Sequence, residues 1–173
     1  ISAGPWSRQH LTAQRLDEAL LDNLEYREIG PTRQSGRFVD IAVPNQRPYT
    51  FYIATASGGL WKTENNGITF DVLFTDQDVF SIGAITVAPS DPDILYLGSG
   101  EANNSRSSYW GDGVYRSTDA GESWTHLGLP ESHHIGRIVV HPLNPDIVYV
   151  AALGHLYSEN VERGLYKRTN GGD

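Results

Sequence analysis

The sequence predicts an all-β fold, a β-propeller of four-stranded antiparallel blades, from two repeated motifs and the single period they share. The first motif is Gly113-Val-Tyr-Arg-Ser-Thr-Asp-Ala-Gly-Glu-Ser-Trp124. It is matched by Gly59-Leu-Trp-Lys-Thr-Glu-Asn-Asn-Gly-Ile-Thr-Phe70 and begun again at Gly164-Leu-Tyr-Lys-Arg-Thr-Asn-Gly-Gly-Asp173. Its turn glycines Gly67, Gly121 and Gly172 are 54 and 51 residues apart. The second motif, Ile82-Gly-Ala-Ile-Thr-Val-Ala-Pro-Ser-Asp-Pro-Asp-Ile-Leu-Tyr96, returns 53 residues later as Ile135-Gly-Arg-Ile-Val-Val-His-Pro-Leu-Asn-Pro-Asp-Ile-Val-Tyr149. A weaker copy opens at Gly36-Arg-Phe-Val-Asp-Ile-Ala-Val-Pro44. Two motifs at one fixed period, with several strands in each period, are the signature of a propeller or solenoid, and four antiparallel strands per repeat make it a propeller.

Taken in order, residues 1–30 form a lead-in. Leu16, Leu20 and Leu24 fall at i, i+4 and i+8, which predicts a short amphipathic helix over 11–24. Residues 26–29 suit a strand able to complete a last blade. Residues 31–173 hold the first three blades or so. In each, an inner strand (82–88, 135–141) leads into a turn rich in Pro, Asp and Asn. A second strand follows (94–98, 147–152), then a third (113–116, 164–167). The turn motif delivers the fourth, from Ser123 in the second blade. Pro89 and Pro142 cannot donate to a ladder and fit strand ends. Gly83 and Gly136 suit close approach near a crowded axis. About three blades cannot close a ring, and bare sheet edges and faces are costly. The chain is therefore expected to be the N-terminal part of a longer protein, with the remaining blades as its first partner.

Lys and Arg number 13 against 21 Asp and Glu, a net charge of −8, which argues against a nucleic-acid surface. There is no cysteine, so no disulfide holds this segment. No apolar run reaches membrane-spanning length.

The Ser-x-Asp-x-Gly-x-x-Trp form of 117–124 resembles the Asp-box, or BNR repeat, of sialidases, xyloglucan-cleaving propeller hydrolases and sortilin-like (VPS10) receptors. Flanking phrases resemble a family of bacterial exported proteins labelled sortilin-like or BNR-repeat glycosyl hydrolases. They are Tyr26-Arg-Glu-Ile-Gly-Pro31, Gly58-Gly-Leu-Trp-Lys62, Gly98-Ser-Gly-Glu101, Gly111-Asp-Gly-Val-Tyr115 and Asn144-Pro-Asp-Ile-Val-Tyr-Val-Ala-Ala-Leu-Gly-His155. The resemblance implies an exported protein, periplasmic, surface-bound or secreted. It implies a module that binds a protein, peptide or glycan, with a polysaccharide-cleaving glycoside hydrolase as the alternative. The segment Thr55-Ala-Ser-Gly-Gly-Leu-Trp61 resembles the stretch that carries a catalytic Asp in the xyloglucan-cleaving propellers. That Asp position falls on Ala56, which argues against their mechanism.

Strand reversal sorts the connections onto two ends. One end carries the regular turns, whose motif residues Thr63, Asn65, Gly67, Phe70, Ser117, Asp119, Gly121, Trp124, Asn170 and Gly172 are read as structural. Asn replaces Asp between copies there, as a turn needing only an acceptor allows. The other end carries long, dissimilar loops at 99–112 and 153–163, where function is expected. Its ligand-binding candidates are Arg33, Arg37, Glu101, Asn104, Arg106, Trp110, His133, His134, Arg137 and His155, with Asn103 and Tyr109 beside them. Arg captures carboxylates bidentately, and Trp and Tyr stack on sugars. Glu101 is the lone candidate for acid–base work, and an internal ion pair with Arg106 or Arg137 is its structural alternative. No metal or cofactor is expected, because His133 and His134 are adjacent and His155 would have to converge with them.

Overall fold

The computed structural model describes residues 36–105 and 107–171. The expected helix and strand within 1–30, and Arg33, Arg106 and Gly172, lie outside those residues. Eleven strands and no helix occur among the described residues. The first blade is β1 (Phe38–Ala42), β2 (Phe51–Thr55), β3 (Leu60–Thr63) and β4 (Asp71–Leu73). The second is β5 (Ile82–Ala88), β6 (Asp91–Ser99), β7 (Val114–Ser117) and β8 (Thr125–Gly128). The third contains β9 (Ile135–Val140), β10 (Val148–Ala152) and β11 (Gly164–Arg168). Each sheet runs in sequence order with antiparallel neighbours. This is an arc of a β-propeller. β6 starts earlier than the Pro-rich turn suggests, because Ala88 pairs with Asp91 across a tight hairpin.

The inner strand of every blade bulges at one place. Phe38 and Asp40 face Thr55 and Ala54; Ile82 and Ala84 face Ser99 and Gly98; Ile135 and Arg137 face Ala152 and Ala151. One extra residue, Val39, Gly83 or Gly136, has no opposite number. The register thus corrects the weak first copy: Val39, not Gly36, is the counterpart of Gly83. At Gly83 the missing side chain is essential. A Cβ there would stand 2.1 Å from the carbonyl oxygen of Ile135 and 2.3 Å from that of Gly100.

The blades stack face to face through two apolar layers. Tyr52, Ala54, Leu60, Leu73 and Phe74 of the first blade meet Ile82, Ile85, Leu95, Leu97 and Tyr115 of the second. Ala84, Ala88, Tyr96 and Val114 of the second meet Ile135, Ile138, Val140, Val148 and Val150 of the third. Trp124 packs into the first layer, edge-on to Phe74 at 5.4 Å. The outer faces of the arc carry the same kinds of residue without cover. Ile82 and Ile135 are fully buried, yet their counterpart Phe38 is 68% exposed. Leu60 and Val114 are buried, yet Leu165 is 76% exposed.

The regular end is tied by a bond that repeats in all three blades. Asn66 N donates to Tyr49 O, Ala120 N to Asp93 O and Gly171 N to Asp146 O, at 2.9, 2.9 and 3.0 Å. The three donors share a positive φ of 59°, 58° and 67°. Within the turns, the Thr63 and Ser117 hydroxyls accept from Gly67 N and Gly121 N at 2.9 and 2.8 Å. Asn65 Oδ1 accepts from Thr69 N, and Asp119 Oδ1 from Ser123 N, both at 2.9 Å. The second amide or carboxyl atom explains the Asp/Asn exchange. Asn65 Nδ2 donates to Thr69 Oγ1 at 2.8 Å, whereas Ser123 Oγ donates to Asp119 Oδ2 at 2.5 Å. A hydroxyl plays either part.

Burial pushes the Asp119 carboxyl upward, but the Ser123 and Ser117 donors outweigh it and hold the group down at about 2, from 3.8. The charged form is favoured in the fold, so this contribution is present above pH 3.8 and is lost as pH falls through about 2. Asp119→Asn is expected to remain within about 0.5 kcal/mol of wild type at pH 7, with Ser123 reversing its hydroxyl, and Asp119→Ala to lose about 1–2 kcal/mol. Denaturant unfolding between pH 5 and pH 2 checks both: acid sensitivity should shrink in each variant.

Candidate functional site

The irregular end is built on a second repeated bond. The amide that follows the second strand donates to the carbonyl of the residue preceding the inner strand: Ala56 to Arg37 at 2.9 Å, Gly100 to Ser81 at 2.8 Å and Leu153 to His134 at 2.8 Å. The next residue in each blade, Ser57, Glu101 or Gly154, therefore starts its loop from an equivalent place. Further amides cross to the following blade, Gly59 N to Phe80 O and Gly111 N to His133 O.

Glu101 is fully buried at that place. Arg37 of the first blade grips it, with Nε 3.1 Å from Oε1 and Nη2 2.7 and 2.6 Å from Oε1 and Oε2. The ion pair is thus internal, as in the structural alternative, but its partner is Arg37. Hydrogen bonding to Glu101 raises the Arg37 pKa above its ordinary value against a smaller effect of burial. Glu101 N donates to Ser81 Oγ at 3.0 Å and to Tyr109 O at 3.1 Å. Both carboxylate oxygens are thus engaged by the guanidinium, inside the protein and away from an open cleft.

Around this pair the rim is aromatic. Trp110 is 69% and Tyr157 79% exposed. Phe80 and Tyr109 form a tilted, half-exposed pair with centroids 5.3 Å apart. Tyr157 OH donates to Asn104 Oδ1, tying the 153–163 loop to the 99–112 loop. Trp110 lies 6.0 Å from the His133 ring. His133 sits in a three-residue turn with φ of 56°, closed by His134 N donating to Ser132 O at 2.5 Å. Positive φ in a non-glycine residue is a strained state that surrounding structure must hold. Burial lowers the His133 pKa, and neighbouring His155 lowers it further.

The other candidates divide. His155 joins His133, their Nε2 atoms 2.9 Å apart. His134 is buried, and burial lowers its pKa against an opposing hydrogen bond to the Glu101 backbone. Its Nδ1 and the Ser132 hydroxyl find no partner among the described residues. Arg137 is exposed but leaves the rim. Its counterpart Asp40 accepts Ile85 N from the following blade at 3.1 Å, and its counterpart Ala84 lies in the layer against the third blade. Arg137 thus belongs to the uncovered outer face. Sequence reasoning missed Phe80, Ser81, Ser132 and Tyr157. Tyr157 had a signal in its long polar loop; the others lie in short linkers without one.

Neither a protein-family model nor a curated protein matches the chain. Solved structures do, as β-propellers. An ancestral GH74 enzyme superposes with a TM-score of 0.62 at 18% identity, covering 83% of this chain and 18% of that one. The GH74 xyloglucanase from Xanthomonas campestris gives 0.55 at 18% identity, covering 78% and 22%. YCF48 bound to D1 peptide gives 0.54 at 14% identity, covering 86% and 43%. The chain spans less than half the length of each, and at these identities the likeness defines the fold.

The Arg37–Glu101 pair yields a test of its structural role. Arg37→Ala leaves a carboxylate buried without its partner. It is expected to lower the melting temperature more than Arg47→Ala, whose partner Asp93 is itself half-exposed. Adding Glu101→Gln to Arg37→Ala should recover much of the loss. Equal melting temperatures for the two arginine variants would contradict this role.

Proposed function

We propose that the chain is part of an exported, sortilin-like BNR propeller of the bacterial envelope that binds a protein, peptide or glycan on the rim at 99–112, 129–134 and 153–163. The observation that carries this reading is the contrast between Glu101 and its surroundings. Glu101, the carboxylate the sequence offers for acid–base work, is enclosed and held by Arg37, while Trp110, Tyr109, Phe80 and Tyr157 present open rings. Exposed Trp and Tyr side chains on a rigid scaffold are the residues that most often dominate binding energy. A glycoside hydrolase needs two carboxyls about 5–10 Å apart across its cleft. The fully buried Ala56 stands where the resemblance to xyloglucan-cleaving propellers would put one of them. Similar propellers have been solved as a xyloglucanase and with a bound peptide, so the fold itself accommodates either use.

The test uses the full-length protein on glycan and peptide arrays and in reducing-end assays with xyloglucan and β-glucans. Retention of at least one glycan or peptide is expected, without turnover. Trp110→Ala and Tyr157→Ala should each weaken that retention at least tenfold, about 1.4 kcal/mol, at an unchanged melting temperature. Turnover of a polysaccharide, or binding indifferent to both substitutions, would overturn the proposal.

A further inference from the structure

His133 and His155 come from separate loops, and their rings meet in one hydrogen bond, Nε2 to Nε2, at 2.9 Å. Such a bond has one donor and one acceptor, so one imidazole must keep a bare nitrogen. Two neutral rings can make the contact, and so can a pair that holds one added proton. With both rings protonated there is no acceptor, and two cations face each other at hydrogen-bond distance. The other bonds between these loops carry no imidazole. Leu153 N donates to His134 O and Asn160 Nδ2 to Glu131 O, at 2.8 and 2.7 Å, and Glu131 N donates to the Glu162 carboxylate at 2.8 Å.

The two sides of the contact are held unequally. Ser158 Oγ lies 2.8 Å from His155 Nδ1. Arg163 clasps the same loop, its Nε 2.7 Å from Leu153 O and its Nη2 2.5 and 2.9 Å from His155 O and Ser158 O. His133 instead stands on a three-residue turn at a φ of 56°, a strained state that its contacts must maintain. Loss of the ring bond therefore frees the His133 side first. That side carries the rim: Gly111 N donates to His133 O at 2.7 Å, and the neighbouring Trp110 ring lies 6.0 Å from the His133 ring.

The charges around the pair favour its neutral form. Burial lowers the His133 pKa, His155 lowers it further, and exposed Glu131 opposes both. Behind His133 lies the buried His134, beside Glu101, which Arg37 already holds. On the other loop, Glu162 is engaged by the Glu131 amide and Arg163 by three carbonyls. The fold thus favours neutral His133. That contribution is complete above the ordinary value of 6.5 and is lost as pH falls through the lowered one.

We propose that the His133–His155 contact is a pH-sensitive latch on the aromatic rim, closed at neutral pH and opened in mild acid when the pair takes its second proton, and that opening displaces Trp110 and weakens ligand binding there. The effect on binding rests on the rim reading given above. The titration of the latch and the response of Trp110 do not.

The test follows the imidazole resonances of ligand-free, full-length protein by NMR from about pH 8 to about pH 5, above the ordinary carboxylate range. Trp110 emission is followed alongside, with Trp110→Phe subtracting the other tryptophans. His133→Gln and His155→Gln assign the resonances and supply an amide that does not titrate, and circular dichroism confirms that both are folded. The pair should titrate in two steps more than about one pH unit apart, and Trp110 emission should change with the second step in wild type but in neither Gln variant. Independent single-step titrations of the two histidines would overturn the latch, as would a Trp110 response that persists in both variants. The peptide and glycan arrays are then read at about pH 7.5 and about pH 5.5, either side of the ordinary histidine value. Compounds retained at the higher pH should be held at least tenfold more weakly at the lower one by wild type, and the ratio should approach one in both Gln variants. The same ratio in all three proteins would overturn the control of binding. Failure of the rim reading is distinct from both, since it appears as no retention at either pH.

Discussion

Everything in this arc depends on how closely the inner strands approach one another. A blade is a small sheet with two apolar faces, and it becomes stable only by burying both against neighbours. For that to happen, β5 must come within backbone contact of the first residue of β9, and the absent side chain at Gly83 permits it. The bulge beside this glycine recurs in every blade. With the approach fixed, the amides at Ala56, Gly100 and Leu153 find their carbonyls in the same way three times.

This constraint gives the two ends different freedoms. At the regular end, a turn must place a left-handed residue against the neighbouring hairpin and satisfy its own amides with a hydroxyl and an Asp or Asn oxygen. Little variation survives, beyond the exchange between Asn65 and Asp119 that Thr69 and Ser123 absorb. At the other end the chain must only leave and re-enter the sheet. Loops of different length then cost little, and rings such as Trp110 and Tyr157 stay largely exposed.

The period was legible because turns demand particular residues at fixed places, and this is why the strands of the second and third blades fall close to where the motifs put them. The first blade was less legible, since Val39 fills the bulge that Gly83 and Gly136 mark elsewhere. The direction of Arg137 was hidden for a related reason: a bulge resets the alternation of faces, so counting from Ile135 misleads. The Arg37–Glu101 pair joins residues 64 apart and depends on how two blades meet, which local pattern does not encode. The contact between His133 and His155 joins two loops, residues 22 apart; the turn at His133 has a positive φ. Neither leaves a trace in composition or spacing.

The central claim is that one end of the arc is a rigid structural frame and the other a functional rim of dissimilar loops whose repeated backbone bonds are confined to its base. Amide hydrogen exchange on the full-length protein tests it most directly. Slow, cooperative exchange is expected at Gly67, Thr69, Gly121 and Ser123, and at the basal amides of Ala56, Gly100 and Leu153. Exchange orders of magnitude faster is expected within 102–109 and 156–161. Fast exchange at the regular turns, together with protection across the rim loops equal to that of the strands, would contradict the account.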